Sequence, residues 1–245
     1  MSREHALALA LGLLLVANLL NNRLAPRAYL GTCLGTTALL VAVARQAGCS
    51  WACLGLGQDT LARGLAWGMA AFALVALGYG TAAALSAGLL LDRRVAGLDA
   101  RGLLYQVLIR VPFGTVLLEE IAFRGVLYGL VRPAAGPVAA TVFSSLLFGL
   151  WHVLPSRTLP AINPVLSRAT GRTVLVVAGA VIVSALAGVV FCELLRRSGS
   201  LLAPAGLHAA TNTLGYLAAF VVTRQVRPCP GTRRAPRRGA RRGRP

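Results

Sequence analysis

The 245-residue chain contains no lysine, and seven carboxylates (Glu4, Asp59, Asp92, Asp99, Glu119, Glu120 and Glu193) face 25 arginines. Charged residues make up 13% of it, against about 25% in an ordinary soluble domain. So few carboxylates cannot supply the polar surface that a soluble fold of this length needs, which excludes most soluble folds. Cysteine is sparse as well. The five are odd in number, and the one close pair, Cys49 and Cys53, is a C-x-x-x-C with no histidine nearby. They read as small apolar fillers rather than a redox or metal framework. No strand-like alternation and no internal repeat is evident.

What the chain has in abundance is long apolar runs. Hydrophobic residues are 56% of it, and a membrane helix needs about 20 mostly apolar residues to cross about 30 Å of hydrocarbon. Such runs fall near residues 6–22, 29–44, 64–91, 103–131, 136–155, 173–195 and 201–223. The expected fold is an all-α, polytopic transmembrane helix bundle of about seven spans, with eight left open. The first run has a signal-peptide look, but Asn21-Asn22-Arg23 follows in place of a small-residue cleavage site, so it reads as a retained first span. The fourth run is long enough to require tilt or a kink, for which Pro112 is the expected break. Residues 155–172, rich in Pro and Arg, read as a loop outside the membrane. Gly and Ala recur within the runs and suit close helix approach in lipid.

The domain reading that follows is a membrane domain over 1–223, with its motif core at 103–220, and an Arg-rich tail over 224–245 expected to be disordered. The tail is expected to lie against anionic lipid and to act as a topology determinant. Nucleic acid is not an expected partner, because no aromatic residues are interleaved with the arginines. In a seven-span arrangement the excess of loop arginines on the tail side places the tail in the cytoplasm. An N-terminus inside would need an even span count, and the orientation stays open.

Ionisable residues within membrane spans are costly and usually mark function or a partner. Glu119, Glu120 and Arg124 fall in the fourth run, Phe148 and His152 in the fifth, His208 and Asn212 in the seventh. Glu120 and Arg124 are four residues apart and share a helix face, so the guanidinium can neutralise that carboxylate. Glu119 is turned about 100° away and is the freer of the two. His208 and Asn212 also share a face. Counting inward at about 1.5 Å per residue, Glu119 lies about 18 Å deep, His152 about 22 Å, His208 about 12 Å and Asn212 about 18 Å from the same membrane side. All four can therefore meet. Against this stand plainer readings: a structural ion pair for Glu120 and Arg124, and interhelical hydrogen bonding for each His or Asn alone. Glu193, beside Arg196 and Arg197, reads as an interfacial ion pair.

At these residues the chain resembles the CAAX protease and bacteriocin-processing (CPBP, or Abi) family of intramembrane proteases, which includes the type II CAAX prenyl endopeptidases. The motifs are Glu119-Glu120-x-x-x-Arg124, Phe148-x-x-x-His152 and His208-x-x-x-Asn212, in that order, with G-S-L-L-A-P-A-G-L-H leading into the last. The resemblance implies an intramembrane endopeptidase in which Glu119, assisted by His152, activates water. His208 and Asn212 would stabilise the oxyanion, while Glu120, Arg124 and Phe148 support the site. A rival account of the same family implies a metalloprotease, with His152, His208 and a glutamate binding Zn²⁺. Both stay open here. The implied substrates are peptides or membrane-associated and lipidated proteins, and the implied location is an integral position in a bacterial plasma membrane. A non-enzymatic scaffold or bacteriocin-immunity-type protein is the alternative; a proton-relaying transporter is weakened by the lack of inverted repeats.

Overall fold

The computed structural model describes residues 1–163, 170 and 172–226. Helix α1 (Arg3–Leu19) begins where the Ser2 side chain accepts the His5 N–H, and wider, π-type turns carry it on over Leu20–Leu24. Pro26 opens a short turn into α2 (Tyr29–Gln46), and α3 (Leu61–Ser86) follows a loop. Asp99 caps α4 (Ala100–Tyr105) by accepting the Gly102 N–H. That helix continues through π-type turns at Gln106–Val116, α5 (Leu117–Glu119), further π-type turns at Glu120–Leu127, and α6 (Tyr128–Trp151). Short helices α7 (Val153–Ser156) and α8 (Leu159–Ile162) lead toward α9 (Thr173–Ser198) and α10 (Leu202–Val226). Among the described residues there is no strand, and the all-helical fold stands.

Among the described residues five stretches are long and apolar enough to cross a membrane: Arg3–Leu24, Pro26–Gln46, Gln58–Ser86, Ala100–Ser156 and Thr173–Ser198. The fourth is 57 residues long and covers two of the seven apolar runs. It reverses at Gly136, whose φ of 81° lies in the left-handed region that glycine alone enters freely, between Pro133 and Pro137. Helix α10 covers the seventh run but carries His208, Asn212 and several threonines, and it is not among the five.

Pro112 does not break the chain, contrary to expectation. It lies inside the π-type stretch, where the Leu117 N–H bonds the Pro112 carbonyl five residues back. The wider turn relieves the clash a proline ring makes in a tight α-helix, so the backbone runs on. The segment 155–172, expected as loop, holds helix at its start through α7 and α8, and residues 164–169 and 171 lie outside the described part. The Arg-rich tail lies outside it from residue 227 onward, α10 running to Val226.

The bundle is apolar on the outside and charged within. Leu85, Val174 and Val138 are 82%, 77% and 76% exposed, whereas Arg124 is 0% exposed and Glu119, Glu120 and His208 are buried. That inversion suits a lipid surround. Helix α3 packs along α10, α6 along α9 and α1 along α2, while the 106–116 stretch fits between α2 and α10. Contact between α3 and α10 depends on Gly64, Gly68 and Gly206. A Cβ on Gly206 would stand 2.5 Å from the Gly68 Cα and 2.7 Å from its carbonyl oxygen, and a Cβ on Gly64 would strike Ser200. Backbone cannot yield as a side chain can, so Gly206→Ala should force the helices apart, with a loss of about 1 to 3 kcal/mol. A lowered melting midpoint in detergent, beside an unchanged Gly12→Ala control whose Cβ meets open space, checks it.

Candidate active site

The site is built on the segment from Leu117 to Leu127, where Glu119, Glu120 and every residue through Leu127 are buried. Arg124 reaches Glu120 as the four-residue spacing requires, with Nη1 3.4 Å from Oε1. Its Nε, Nη1 and Nη2 have no hydrogen-bond partner. The guanidinium instead stacks on aromatic faces, 4.0 Å from the centre of the Phe148 ring and 4.6 Å from that of Phe191. Phe148, a motif residue, thus holds the cation by its ring quadrupole.

Helix α10 delivers His208 onto the same carboxylates. Its Nδ1 lies 2.7 Å from Glu120 Oε1, and because a carboxylate accepts, Nδ1 donates. Nε2 is then turned toward Glu119, 3.7 Å from Oε2, within ion-pair range but beyond hydrogen-bond distance. The His208 ring also stacks on Phe191 at 5.2 Å. Glu120 therefore has two partners, Arg124 and His208, where helical spacing alone pointed to one. The imidazole nearest Glu119 belongs to His208.

Glu119 Oε1 accepts the Trp151 indole N–H at 3.0 Å, and its Oε2, buried, has no hydrogen-bond partner. His152 follows Trp151 at the end of α6. Its Nδ1 donates to the Phe148 carbonyl at 2.7 Å, which leaves Nε2 as the free ring nitrogen. Glu119, His152, His208 and Asn212 line one cavity of about 280 Å³. Four residues from three separate apolar runs thus share one space, as their depths indicated.

The cavity also has a wall that the motifs do not contain. Trp151 is one part of it, and the Asn18 amide, donating to the Trp151 carbonyl at 2.9 Å, ties that turn to α1. Tyr29, Arg94, Arg110 and Tyr216 line the cavity too. One signal was available: Asn18, Asn21 and Asn22 are polar residues at the end of an apolar run. A tryptophan in an apolar run reads as bulk, and nothing local marks its N–H as a partner for Glu119.

A zinc ion fits these residues poorly. Among the described residues no three His, Cys, Asp or Glu side chains group as a ligand set. The Nδ1 atoms of His208 and His152 are held by Glu120 and a carbonyl, which leaves both Nε2 atoms open, but no third ligand groups with them among the described residues.

Residues 101–214 match the protein-family model described as type II CAAX prenyl endopeptidase Rce1-like. No curated protein and no solved structure matches the chain. The matched segment begins in α4 and ends in α10, so it contains both glutamates, Arg124, both cavity histidines and Asn212. The match and the helices apolar enough to span a bilayer agree on an integral membrane protein. Over residues 101–214 the chain is similar to the type II CAAX prenyl endopeptidase Rce1-like family, the family that its three motifs resemble.

Proposed function

We propose that the protein is an intramembrane endopeptidase that hydrolyses peptide bonds of membrane-associated or lipidated substrates in a bacterial plasma membrane, with Glu119 as general base. The observation that carries this reading is the single cavity lined by Glu119, His152, His208 and Asn212. Glu119 Oε1 is engaged by Trp151, so its partnerless Oε2 is the oxygen that takes a proton from water. The water oxygen attacks the peptide carbonyl carbon as that proton moves to Glu119. The carbonyl oxygen, becoming an oxyanion, receives N–H bonds from His208 Nε2 and the Asn212 side-chain amide.

For Nε2 to donate while Nδ1 donates to Glu120, His208 carries both ring protons. Glu120 then contacts both cations, Arg124 and the imidazolium, and with Glu119 ionised nearby the buried cluster of two carboxylates and two cations is neutral overall. Collapse of the tetrahedral intermediate breaks the C–N bond, and the departing amine takes the proton from Glu119; His152, which lines the same cavity, assists that transfer. The Arg-rich tail would hold the protein to anionic lipid.

The test is cleavage of a panel of quenched fluorescent peptides and candidate membrane proteins by the purified full chain in liposomes. Asn212→Ala should retain slow turnover, about 100 to 1,000-fold below wild type, as loss of one oxyanion donor typically causes. Exhaustive chelation should leave wild-type turnover unchanged. One tightly bound zinc per chain, with activity lost on its removal and regained on its return, would overturn the direct Glu119 mechanism. Absence of cleavage across the panel would favour the non-enzymatic scaffold.

A further inference from the structure

Helix α10 faces two cavities rather than one. His208, Asn212 and Tyr216 recur every four residues and line the catalytic cavity, while Thr211, Gly215 and Ala219 form the neighbouring row. That second row lines another chamber, of about 240 Å³, bounded by Tyr79 of α3 and by residues 90–92. Asn212, Tyr216 and Arg94 line both spaces, so the two chambers share a wall.

The shared wall is held in place. Asp92 accepts the Arg94 backbone N–H and Nε at 2.8 Å each and Nη2 at 2.6 Å, and the guanidinium lies 5.0 Å from the centre of the Tyr216 ring. The charged groups of the second chamber, Asp92 and Arg94, thus pair with each other, and the space selects neither anions nor cations. What it offers besides is neutral and polar. The Tyr79 hydroxyl donates to the Thr211 carbonyl at 3.0 Å and keeps its lone pairs for a further donor. Among the described residues the Asn212 side chain has no hydrogen-bond partner. At about 30 Å³ each, several waters fit this volume and find there the polar partners that bound water needs.

Hydrolysis consumes one water per bond, and a peptide in the catalytic cavity covers the residues that line it. The next water has to arrive by a route that the peptide does not occupy. We infer that the second chamber is a water-binding site that supplies the hydrolytic water to the catalytic cavity past Asn212 and Tyr216. The inference rests on the reading of the catalytic cavity as a peptide site. Tyr216, in the shared wall, offers a passing water both a donor and an acceptor, while Arg94, locked by Asp92, keeps its ring in place.

The experiment uses the full chain in phosphatidylcholine nanodiscs and reads water and turnover separately. Hydroxyl radicals formed from water by X-ray pulses label the side chains beside that water, and mass spectrometry locates the labels. Tyr79 lines the second chamber alone, Tyr29 the catalytic cavity alone, and Tyr128, 3% exposed, lines neither. Tyr79 and Tyr29 should be labelled several-fold faster than Tyr128. In Glu119→Gln protein saturated with a dansyl-labelled apolar hexapeptide amide, labelling of Tyr29 should fall while that of Tyr79 persists. Thr211→Leu, which fills the chamber with an apolar side chain, should cut Tyr79 labelling and lower kcat about tenfold, with peptide affinity and melting midpoint unchanged. Thr211→Ser, which keeps the hydroxyl and the space, should match wild type, and Tyr216→Phe should lower kcat about threefold to tenfold with KM unchanged.

Tyr79 labelled no faster than Tyr128 would overturn the water site. So would Tyr79 labelling that falls when the hexapeptide binds, or a Thr211→Leu protein that loses peptide affinity and keeps kcat, since both make the chamber a peptide subsite. Tyr79 labelling that Thr211→Leu removes, in wild-type protein that cleaves nothing, would uphold the hydrated chamber and instead count against the endopeptidase reading.

Discussion

Glu119→Gln protein should accumulate in membranes and melt as wild type does, yet show turnover lowered by at least about 100 to 10,000-fold, the usual contribution of a general base. The amide oxygen can still accept the Trp151 N–H that Oε1 accepts at 3.0 Å, so the side chain keeps its position. What the amide loses is the capacity to take a proton from water at the position of Oε2. Trp151→Phe supplies the complementary case: it retains a ring beside Phe123, whose centre lies 5.9 Å from that of Trp151, but releases Glu119 from its donor. Its turnover should fall less than that of Glu119→Gln, because the base survives with poorer orientation. Single-turnover cleavage in liposomes, with folding followed by thermal melts, checks both. Wild-type turnover by Glu119→Gln would remove Glu119 as the base and leave the cavity to another reaction.

Much of this site was legible because lipid makes polar residues conspicuous. An Asp, Glu, His or Asn in an apolar run stands out, and helical rise converts its position into a depth, which is why four residues from distant segments could be brought together by counting. The pairing of Glu120 with Arg124 was legible for the same reason, since an i to i+4 relation is fixed within one helix. Contacts between helices were not. That His208 bonds Glu120, or that Trp151 bonds Glu119, depends on how α10 and α6 rotate about their axes, and the small-residue surfaces that set those rotations carry little directional information. The seam where Gly68 meets Gly206 is visible locally only as a frequency of glycine.

Breaks in the backbone followed the same division. Pro112 has the local marks of a helix break, but π-type turns absorb it, while the reversal falls at Gly136, flanked by Pro133 and Pro137. Proline in a membrane helix can be accommodated by changing the turn, whereas a left-handed residue between two prolines ends one helix axis and starts another.

The largest expected effect on stability is at Arg124, and it separates a supporting cation from a catalytic one. Arg124→Ala should destabilise the folded protein by about 3 to 5 kcal/mol, the usual result of removing one member of a buried ion pair. The arginine is 0% exposed, and its removal would leave Glu120 with His208 alone while emptying the space between the Phe148 and Phe191 rings. Yield and activity should fall together. The double variant Arg124→Met with Glu120→Gln removes both charges and refills the volume, so it should recover much of the stability, since buried pairs are often replaced by apolar or neutral groups without loss. Its turnover should stay low, because His208 Nδ1 would face an amide instead of the carboxylate that balances an imidazolium, weakening the Nε2 donor at the oxyanion. Thermal melts and cleavage rates measured on the two variants side by side check this; a stable Arg124→Ala protein that has lost turnover would assign Arg124 a direct part in the chemistry.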